Sequence, residues 1–486
     1  MKYLIFAMFL LVACSPEDKK SSKPNILLII TDDQSWEHLG CYGDPVIRTP
    51  VIDKLASEGV KFENAYTACP SCSPARAALL TGQDIYRLEE GGVLTGFIRD
   101  KFEVFPLLLE ENGYHVGYTG KGYWPLTSGI PEAIDEPFGK PYKSILHDSV
   151  PHGVSRNYYA ANFEQFVEEN SGGKPFFFLA GLGEPHRPYG YGLGLEMGID
   201  TSRVSIPSFL PDVSVTKVDM ADYLGEIEYC DQVVGELLDV LDKKGLIENT
   251  LIIFTSDNGM PFPRSKATLY DHGVRMPLIA WWKNKIYGNR VVSDPVSLID
   301  LGPTFLELAL VDIPEQFTGR SMTTQLLAME SGQIEADRDF VVTAFEKHTH
   351  CRPNELGYPR RAIHTTEWTY IVNHEPHRFP MGNLDIYIPN WDNLGETDPG
   401  PTKTYFKQNI DNPDFQNLWN LSFGKVPEEE LYNKEEDPHM ISNLANDPAS
   451  SLILDELRKK LNHYLSLTDD PRLRGLSPWD QYRLDK

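Results

Sequence analysis

The sequence predicts an α/β protein, in which a large, mostly parallel sheet flanked by helices is followed by a smaller C-terminal α+β subdomain. Three observations predict it. Three continuous apolar runs of strand length, the pattern of strands buried on both faces, recur in the first part of the chain, together with a less apolar strand at Tyr114 to Thr119. Between them lie stretches of helical periodicity closed by glycine, the alternation of a doubly wound sheet. Past residue 340 the texture changes to shorter apolar runs with many Asn, Pro and aromatic residues.

With 486 residues, 41% hydrophobic and 24% charged, the chain can bury a large core and a second, smaller unit. Its formal charge of -25 argues against nucleic acid or an anionic membrane surface as partner. An anionic substrate stays open, because exposed charges are screened beyond about 8–10 Å and a few cations can dominate a pocket.

Taken in order, residues 1–13 read as a signal peptide: Lys2, then an apolar run from Tyr3 to Ala13 too short to span a bilayer. Leu11-Val12-Ala13-Cys14 resembles a bacterial lipobox, which implies cleavage before Cys14, lipidation of that cysteine and export as a lipoprotein held to the membrane by the lipid alone. A plain secretory signal is the alternative. Residues 14–23 then form a flexible lipidated tether. The catalytic α/β domain is expected over 24–340 and the α+β subdomain over 341–486.

The first buried strand, Pro24 to Ile30, ends in Thr31-Asp32-Asp33. A helix from Thr49 to Glu58 follows, with Thr49 as N-cap, Pro50 at the first helical position and Gly59 as its stop. Phe105 to Asn112 is the next helix. Tyr114 to Thr119 is the second strand and leads into Gly120-Lys121, and Phe176 to Ala180 is the third, leading into Gly183-Glu184-Pro185-His186-Arg187. An amphipathic helix from Met220 to Lys244 precedes the fourth strand, Thr250 to Thr255, which ends in Ser256-Asp257-Asn258-Gly259. Near the C-terminus a helix runs from Pro448 to Leu467, while Pro380 to Glu428 reads as an irregular surface loop that could rim a substrate site.

Cys72, in Cys72-Ser73-Pro74-Ala75-Arg76, is expected at the mouth of a helix, where the field favours a thiolate. Cys69 and Cys72 also make a C-x-x-C pair, but no second such pair exists to complete a zinc site. Among the remaining cysteines one disulfide is left open.

In open α/β sheets ligands gather where the carboxyl ends of the strands meet. Asp32, Asp33, Asp257 and Asn258 there form an all-oxygen set that suits calcium, with magnesium second, rather than zinc. Arg76, Lys121, His186, Arg187, Lys266 and Arg275 supply cations around it, which together describe a site for a tetrahedral oxyanion.

These residues also carry a family resemblance. Cys72-x-Pro74-x-Arg76, followed after four residues by Thr81-Gly82, resembles the sulfatase signature, in which the cysteine is converted to formylglycine by a generating enzyme. The likeness continues through Asp32-Asp33, Gly120-Lys121, Pro185-His186, Ser256-Asp257-Asn258-Gly259 and Lys266 to Pro277, and reaches Asn443-Leu444-Ala445. Ser71-Cys72-Ser73-Pro74 and Asp257 to Pro263 are most similar to the heparan N-sulfatase (sulfamidase) branch.

The resemblance implies an alkaline-phosphatase-like fold and a sulfatase acting on sulfated polysaccharide fragments. It implies that the hydrated aldehyde at position 72, bound to calcium with Asp32, Asp33, Asp257 and Asn258 and oriented by Arg76, attacks sulfur in line. Lys121, His186 and Lys266 would neutralise the sulfuryl charge, and His186 or Lys266 would protonate the departing oxygen or nitrogen.

One position departs from the pattern. The family carries a histidine two places after the G-K lysine as the base for the second hydroxyl, and here that place is Tyr123. With an ordinary pKa of about 10, a tyrosine is a poor base at neutral pH. His147, His152 and His272 are the replacements on offer, His272 standing where the family has glycine. Three alternatives remain: an N-sulfoglucosamine sulfohydrolase, a two-zinc phosphomonoesterase or phosphodiesterase of the same superfamily, and a non-catalytic glycan-binding lipoprotein. Asn258 in place of a histidine ligand speaks against the phosphatase.

Overall fold

The computed structural model describes residues 23–123, 130–385 and 392–481. The expected signal segment, Cys14 and nearly all of the tether lie outside the described residues.

In chain order the strands are β1 (Asn25–Thr31), β2 (Val60–Phe62), β3 (Ala65–Tyr66), β4 (His115–Gly120), β5 (Lys140–Pro141), β6 (Phe176–Gly181) and β7 (Thr250–Ser256). They continue with β8 (Leu278–Trp281), β9 (Arg290–Val292) and β10 (Val296–Ser297). The large sheet has the order β5-β4-β6-β1-β7-β8-β2-β9, and β3 pairs with β10 apart from it. Within the sheet only β8 runs against its neighbours.

The four strands expected from the sequence are β4, β6, β1 and β7, side by side at the centre. Every residue of β1, β6 and β7 is buried, which is why these segments carry no polar alternation. A fully buried aliphatic side chain here contributes about 1.5–3 kcal/mol, and Ile29→Ala would cost about 2–5 kcal/mol once its cavity is counted. Register aligns the ends that matter: Thr31 lies beside Ser256, Ile30 beside Gly181 and Gly120 beside Gly181. The segments that follow therefore leave one edge of the sheet together.

The helix Pro50–Glu58 forms where expected, but Thr49 does not cap it. The Thr49 hydroxyl accepts from the Gly40 amide and donates to Asp53 at 3.0 Å, so the free helix amides of Val51 and Ile52 are bound instead by Asp231. Asp231 comes from the long helix Ser214–Lys243, which starts more than a turn before the expected Met220. The helix stops at Gly59, which leaves the helical conformation at a place where only glycine fits, since a β-carbon there would lie 2.3 Å from the Ala280 carbonyl oxygen.

A four-stranded antiparallel sheet, β11 (Val341–Phe345), β12 (Arg360–His364), β13 (Trp368–Asn373) and β14 (Glu429–Asn433), makes up the C-terminal part. The helix Ser451–Leu467 buries Leu454, Leu457, Leu461 and Leu465, one stripe at helical spacing. The stretch expected as an irregular loop is corrected: it contains helices Pro401–Gln408 and Gln416–Phe423, whose Phe406 and Phe423 rings pack 5.3 Å apart. Helices of two turns are too short for their periodicity to stand out.

All five cysteines among the described residues are free, so the disulfide left open does not form there. No helix among the described residues is long and apolar enough to cross a membrane.

Candidate active site

The helix Cys72–Thr81 is buried over all ten residues and ends at Gly82, whose φ of 59° lets its amide turn back onto the Ala78 and Leu79 carbonyls. Cys72 opens this helix and, with Lys121, His186, Lys266 and His348, lines a cavity of about 540 Å³.

Its thiol corrects one expectation. Burial pushes the Cys72 pKa up despite the nearby Lys121 and Lys266 ammonium groups, so the helix mouth does not yield a thiolate. The position presents a buried, protonated sulfur.

One turn further on, Arg76 is sealed from solvent and fixed at three points. Its Nε donates to Asp257 Oδ2 at 2.8 Å, and Nη1 donates to the carbonyls of Lys121 at 2.8 Å and Gly122 at 3.1 Å. One guanidinium thereby ties the ends of β4 and β7 to the cysteine helix.

Asp33, Asp257 and Asn258 lie together at the strand ends. The Asp33 amide donates to Asp257 Oδ1 at 3.2 Å, and Asn258 Nδ2 donates to Asp33 Oδ1 at 2.7 Å. Asp33 holds φ at 72°, a left-handed conformation that costs a non-glycine residue energy and that tends to be retained at functional sites. Asp32 Oδ1 and Asn258 Oδ1 are buried with no hydrogen-bond partner among the described residues, an arrangement that a hard cation would satisfy.

His186 joins this set, with Nε2 3.8 Å from Asp33 Oδ2 and its ligand atom within 4.8 Å of those of Asp32 and Asp33. Asp257 has its pKa pushed up to about 6 by burial and by the Asp32 charge. Burial acts the same way on Asp32, but Lys121, His186, Arg76 and Lys266 outweigh it and keep that carboxyl below the usual range. The donor chemistry fits calcium or magnesium, and a divalent charge would also hold Asp257 ionised.

Lys121 pairs with Asp32, and Lys266 lies 2.8 Å from both Asp33 Oδ2 and Asp398 Oδ2. Both ammonium groups stay protonated because these carboxylates more than offset burial. Asp398 had no signal in the sequence; it sits in the stretch read as a surface loop and lines the same cavity.

The remaining sequence candidates sit elsewhere. Arg187 forms a buried two-point pair with Asp219 at 2.7 and 2.9 Å. Arg275 donates to the Glu63 carbonyl and covers Trp36. His272 is buried beside Phe209, 2.9 Å from Glu37; His152 is exposed and His147 stacks on Tyr158. Tyr123 is buried near Cys72, but its hydroxyl donates to the Gly96 carbonyl at 3.2 Å and burial pushes its pKa above the ordinary value. A histidine the sequence gave no reason to consider, His348, does reach the cavity, 2.7 Å from Ser71 Oγ.

A buried cysteine at a helix mouth, a cluster of side-chain oxygens and converging ammonium groups make a site whose chemistry fits a hydrolase for a tetrahedral oxyanion. The chain belongs to the sulfatase family, whose model matches residues 24–311, and is a sulfuric ester hydrolase of the alkaline-phosphatase-like fold. A second model, described as the C-terminal part of N-sulphoglucosamine sulphohydrolase, matches residues 264–374.

Human N-sulphoglucosamine sulphohydrolase is 30% identical over 92% of this chain and 91% of its own length. An ulvan-active sulfatase of Formosa agariphila is 28% identical over 93% and 76%. Among solved structures, one described with its substrate D-glucosamine-2-N,6-O-disulfate superposes with a TM-score of 0.65 at 20% identity, covering 92% of this chain and 99% of that one. A 2-O glycosaminoglycan sulfatase superposes with a TM-score of 0.65 at 19% identity, over 94% of each chain.

Proposed function

We propose that this protein removes sulfate from sulfated polysaccharide fragments, with residue 72 matured from cysteine to formylglycine and a calcium ion held by Asp32, Asp33, Asp257 and Asn258. The observation that carries the reading is the convergence of Cys72, Lys121, His186 and Lys266 on one cavity beside the unpartnered oxygens of Asp32 and Asn258.

When present, formylglycine supplies a hydrated aldehyde as nucleophile and calcium polarises the sulfate oxygens. The chain's own groups do the rest. Arg76 fixes the helix that carries position 72. Lys121 and Lys266 offset the negative charge that grows on the sulfuryl oxygens. His186, more than a third exposed and facing the cavity, is placed to give a proton to the departing sugar atom.

Export, lipidation at Cys14 and maturation by a formylglycine-generating enzyme belong to the same proposal, which places the enzyme where sulfated glycans are degraded outside the cytoplasm. A second reading, hydrolysis of an N-sulfate on glucosamine, is favoured by the match over residues 264–374, which include Lys266 and His348. The Asp257-Asn258 pair gives no support to a two-zinc phosphatase.

Sulfate release from a panel of O- and N-sulfated mono- and disaccharides tests both readings. Release from an O-sulfated sugar supports the first and release from N-sulfoglucosamine alone the second. No release from any member by protein shown to carry the aldehyde at position 72 rejects both.

A further inference from the structure

The helix of Cys72 has a serine at its N-cap that does not cap it. Ser71 has an extended φ of -155° and no side-chain bond to the helix amides, although serine is a favoured residue at that place. Its hydroxyl instead meets His348 Nδ1 at 2.7 Å. This histidine comes from beyond β11, on the segment that leaves the C-terminal sheet.

Its backbone is fixed as firmly as its ring. Glu396 Oε2 accepts from the His348 and Thr349 amides at 3.2 and 2.9 Å, and Glu396 Oε1 accepts from Arg352 at 2.6 Å. His348 is 5% exposed and lines the cavity with Cys72, and its Nε2 makes no hydrogen bond among the described residues. Burial, and then the Lys266 ammonium, pull its pKa down, against the opposing charges of Glu396, Asp398 and Asp33. The imidazole is therefore neutral at neutral pH. If Nδ1–H donates to Ser71 Oγ, Nε2 is left with a free lone pair.

We infer that His348 is the proton-accepting residue of this site, filling the role left open by Tyr123, with Ser71 holding its tautomer. The inference rests on the sulfatase reading above. The proton passes from the hydroxyl oxygen carried by residue 72 to Nε2, the oxygen keeps the bonding pair, and the proton then leaves Nε2 for water in the cavity. Among the candidates for this role, Tyr123, His147, His152 and His272, none lines the cavity, and His186 lies on the Asp33 side of it. His348 and Ser71 thus divide the work, one moving the proton and the other positioning the ring.

Heteronuclear NMR of the imidazole nitrogens, with His348→Gln to assign the signal, reads the tautomer without turnover. Nε2 free of its proton at neutral pH is expected, with redistribution between the tautomers in Ser71→Ala. A proton found mainly on Nε2 in the wild type overturns the inference.

In the matured enzyme, His348→Ala should lower kcat by about 10²–10⁴-fold, the usual size of a general-base contribution, while KM changes little. Added imidazole should restore part of that rate, and calorimetric binding of inorganic sulfate should be unchanged. A folded His348→Ala variant with wild-type kcat, or with no imidazole rescue, also overturns it. Should that variant fail to fold, Ser71→Ala decides: a lower kcat together with a shifted tautomer supports the pair, and neither change rejects it. Wild-type protein that releases no sulfate from any sugar defeats the sulfatase reading instead, and the nitrogen spectra tell the two failures apart.

Discussion

Arg76 and Asp257 meet at 2.8 Å with their side chains 1% and 2% exposed, joining the cysteine helix to the end of β7. Because the same guanidinium also holds the Lys121 and Gly122 carbonyls, the Cys72 helix and the strand ends that carry Lys121 and Asp257 are tied into one unit. Removing one partner of a buried pair leaves an uncompensated charge and typically costs about 3–5 kcal/mol. Arg76→Ala is therefore expected to lower Tm and to abolish sulfate release. Arg76→Lys should stay folded yet remain impaired, since an ammonium cannot reproduce the planar fork. Arg76→Lys with wild-type kcat/KM would show that the fork is dispensable.

Metal removal should be felt as stability. Asp32 Oδ1 and Asn258 Oδ1 have no hydrogen-bond partner among the described residues to fall back on, and Asp257 is destabilised as an anion by burial and by Asp32. A ligand present at about 100 times its Kd stabilises by about 2.7 kcal/mol. Chelation should lower Tm by several degrees, calcium should restore it more fully than magnesium, and Asp32→Asn should bind neither tightly. Thermal melts that ignore both chelator and calcium would remove the cation site from the account.

Protein that retains the Cys72 thiol offers a separate check. Cys72 has its pKa raised by burial, so in protein made without the maturation enzyme this thiol should alkylate far more slowly at neutral pH than a free cysteine. Peptide mapping after timed iodoacetamide exposure measures it. Rapid labelling of Cys72 at neutral pH would mean that the helix mouth and the lysines outweigh desolvation after all.

Much of this arrangement was legible because it is local. A strand buried on both faces is a continuous apolar run, and Asp32-Asp33 and Asp257-Asn258 follow such runs directly, with Lys121 and His186 shortly past two other central strands, so finding the strands brought these residues to one edge of the sheet. What could not be read is what other elements decide. Thr49 has the right identity and place for an N-cap, yet Asp53 and Gly40 claim its hydroxyl and Asp231, from a distant helix, does the capping. Ser71 and His348 meet across 277 positions, and Asp398 reaches Lys266 across 132. Neither His348 nor Asp398 lies in a periodic segment or a motif, so only the docking of the C-terminal sheet and its loops onto the first sheet reveals them.

Asp398 is expected to temper the anion site. It shares the Lys266 ammonium with Asp33, and so would reduce the charge that Lys266 could offer to a bound sulfate. Asp398→Asn should tighten binding of inorganic sulfate by roughly fivefold, about 1 kcal/mol, and raise product inhibition to match. Calorimetry with sulfate measures the first and progress curves the second. Unchanged or weaker sulfate binding would assign Asp398 to holding Lys266 in place.

Glu226, buried on the long helix, makes stability fall toward alkaline pH. Burial, then the Glu184 charge, push its pKa up to about 9, Arg187 opposing, whereas in the unfolded chain it would titrate at about 4.3. The sign follows from proton binding. Between these values the folded state holds a proton that the unfolded state has released, so the contribution is fully present below the unfolded pKa and is lost as pH rises through the folded one. Replacing the carboxyl by an amide removes that dependence. Glu226→Gln should match the wild type near pH 4 and exceed it by an amount on the order of a few kcal/mol above about pH 8. Denaturant melts of both proteins across this range measure the gap, and a gap that is constant or that widens toward acid pH would mean that Glu226 is ionised in the folded protein.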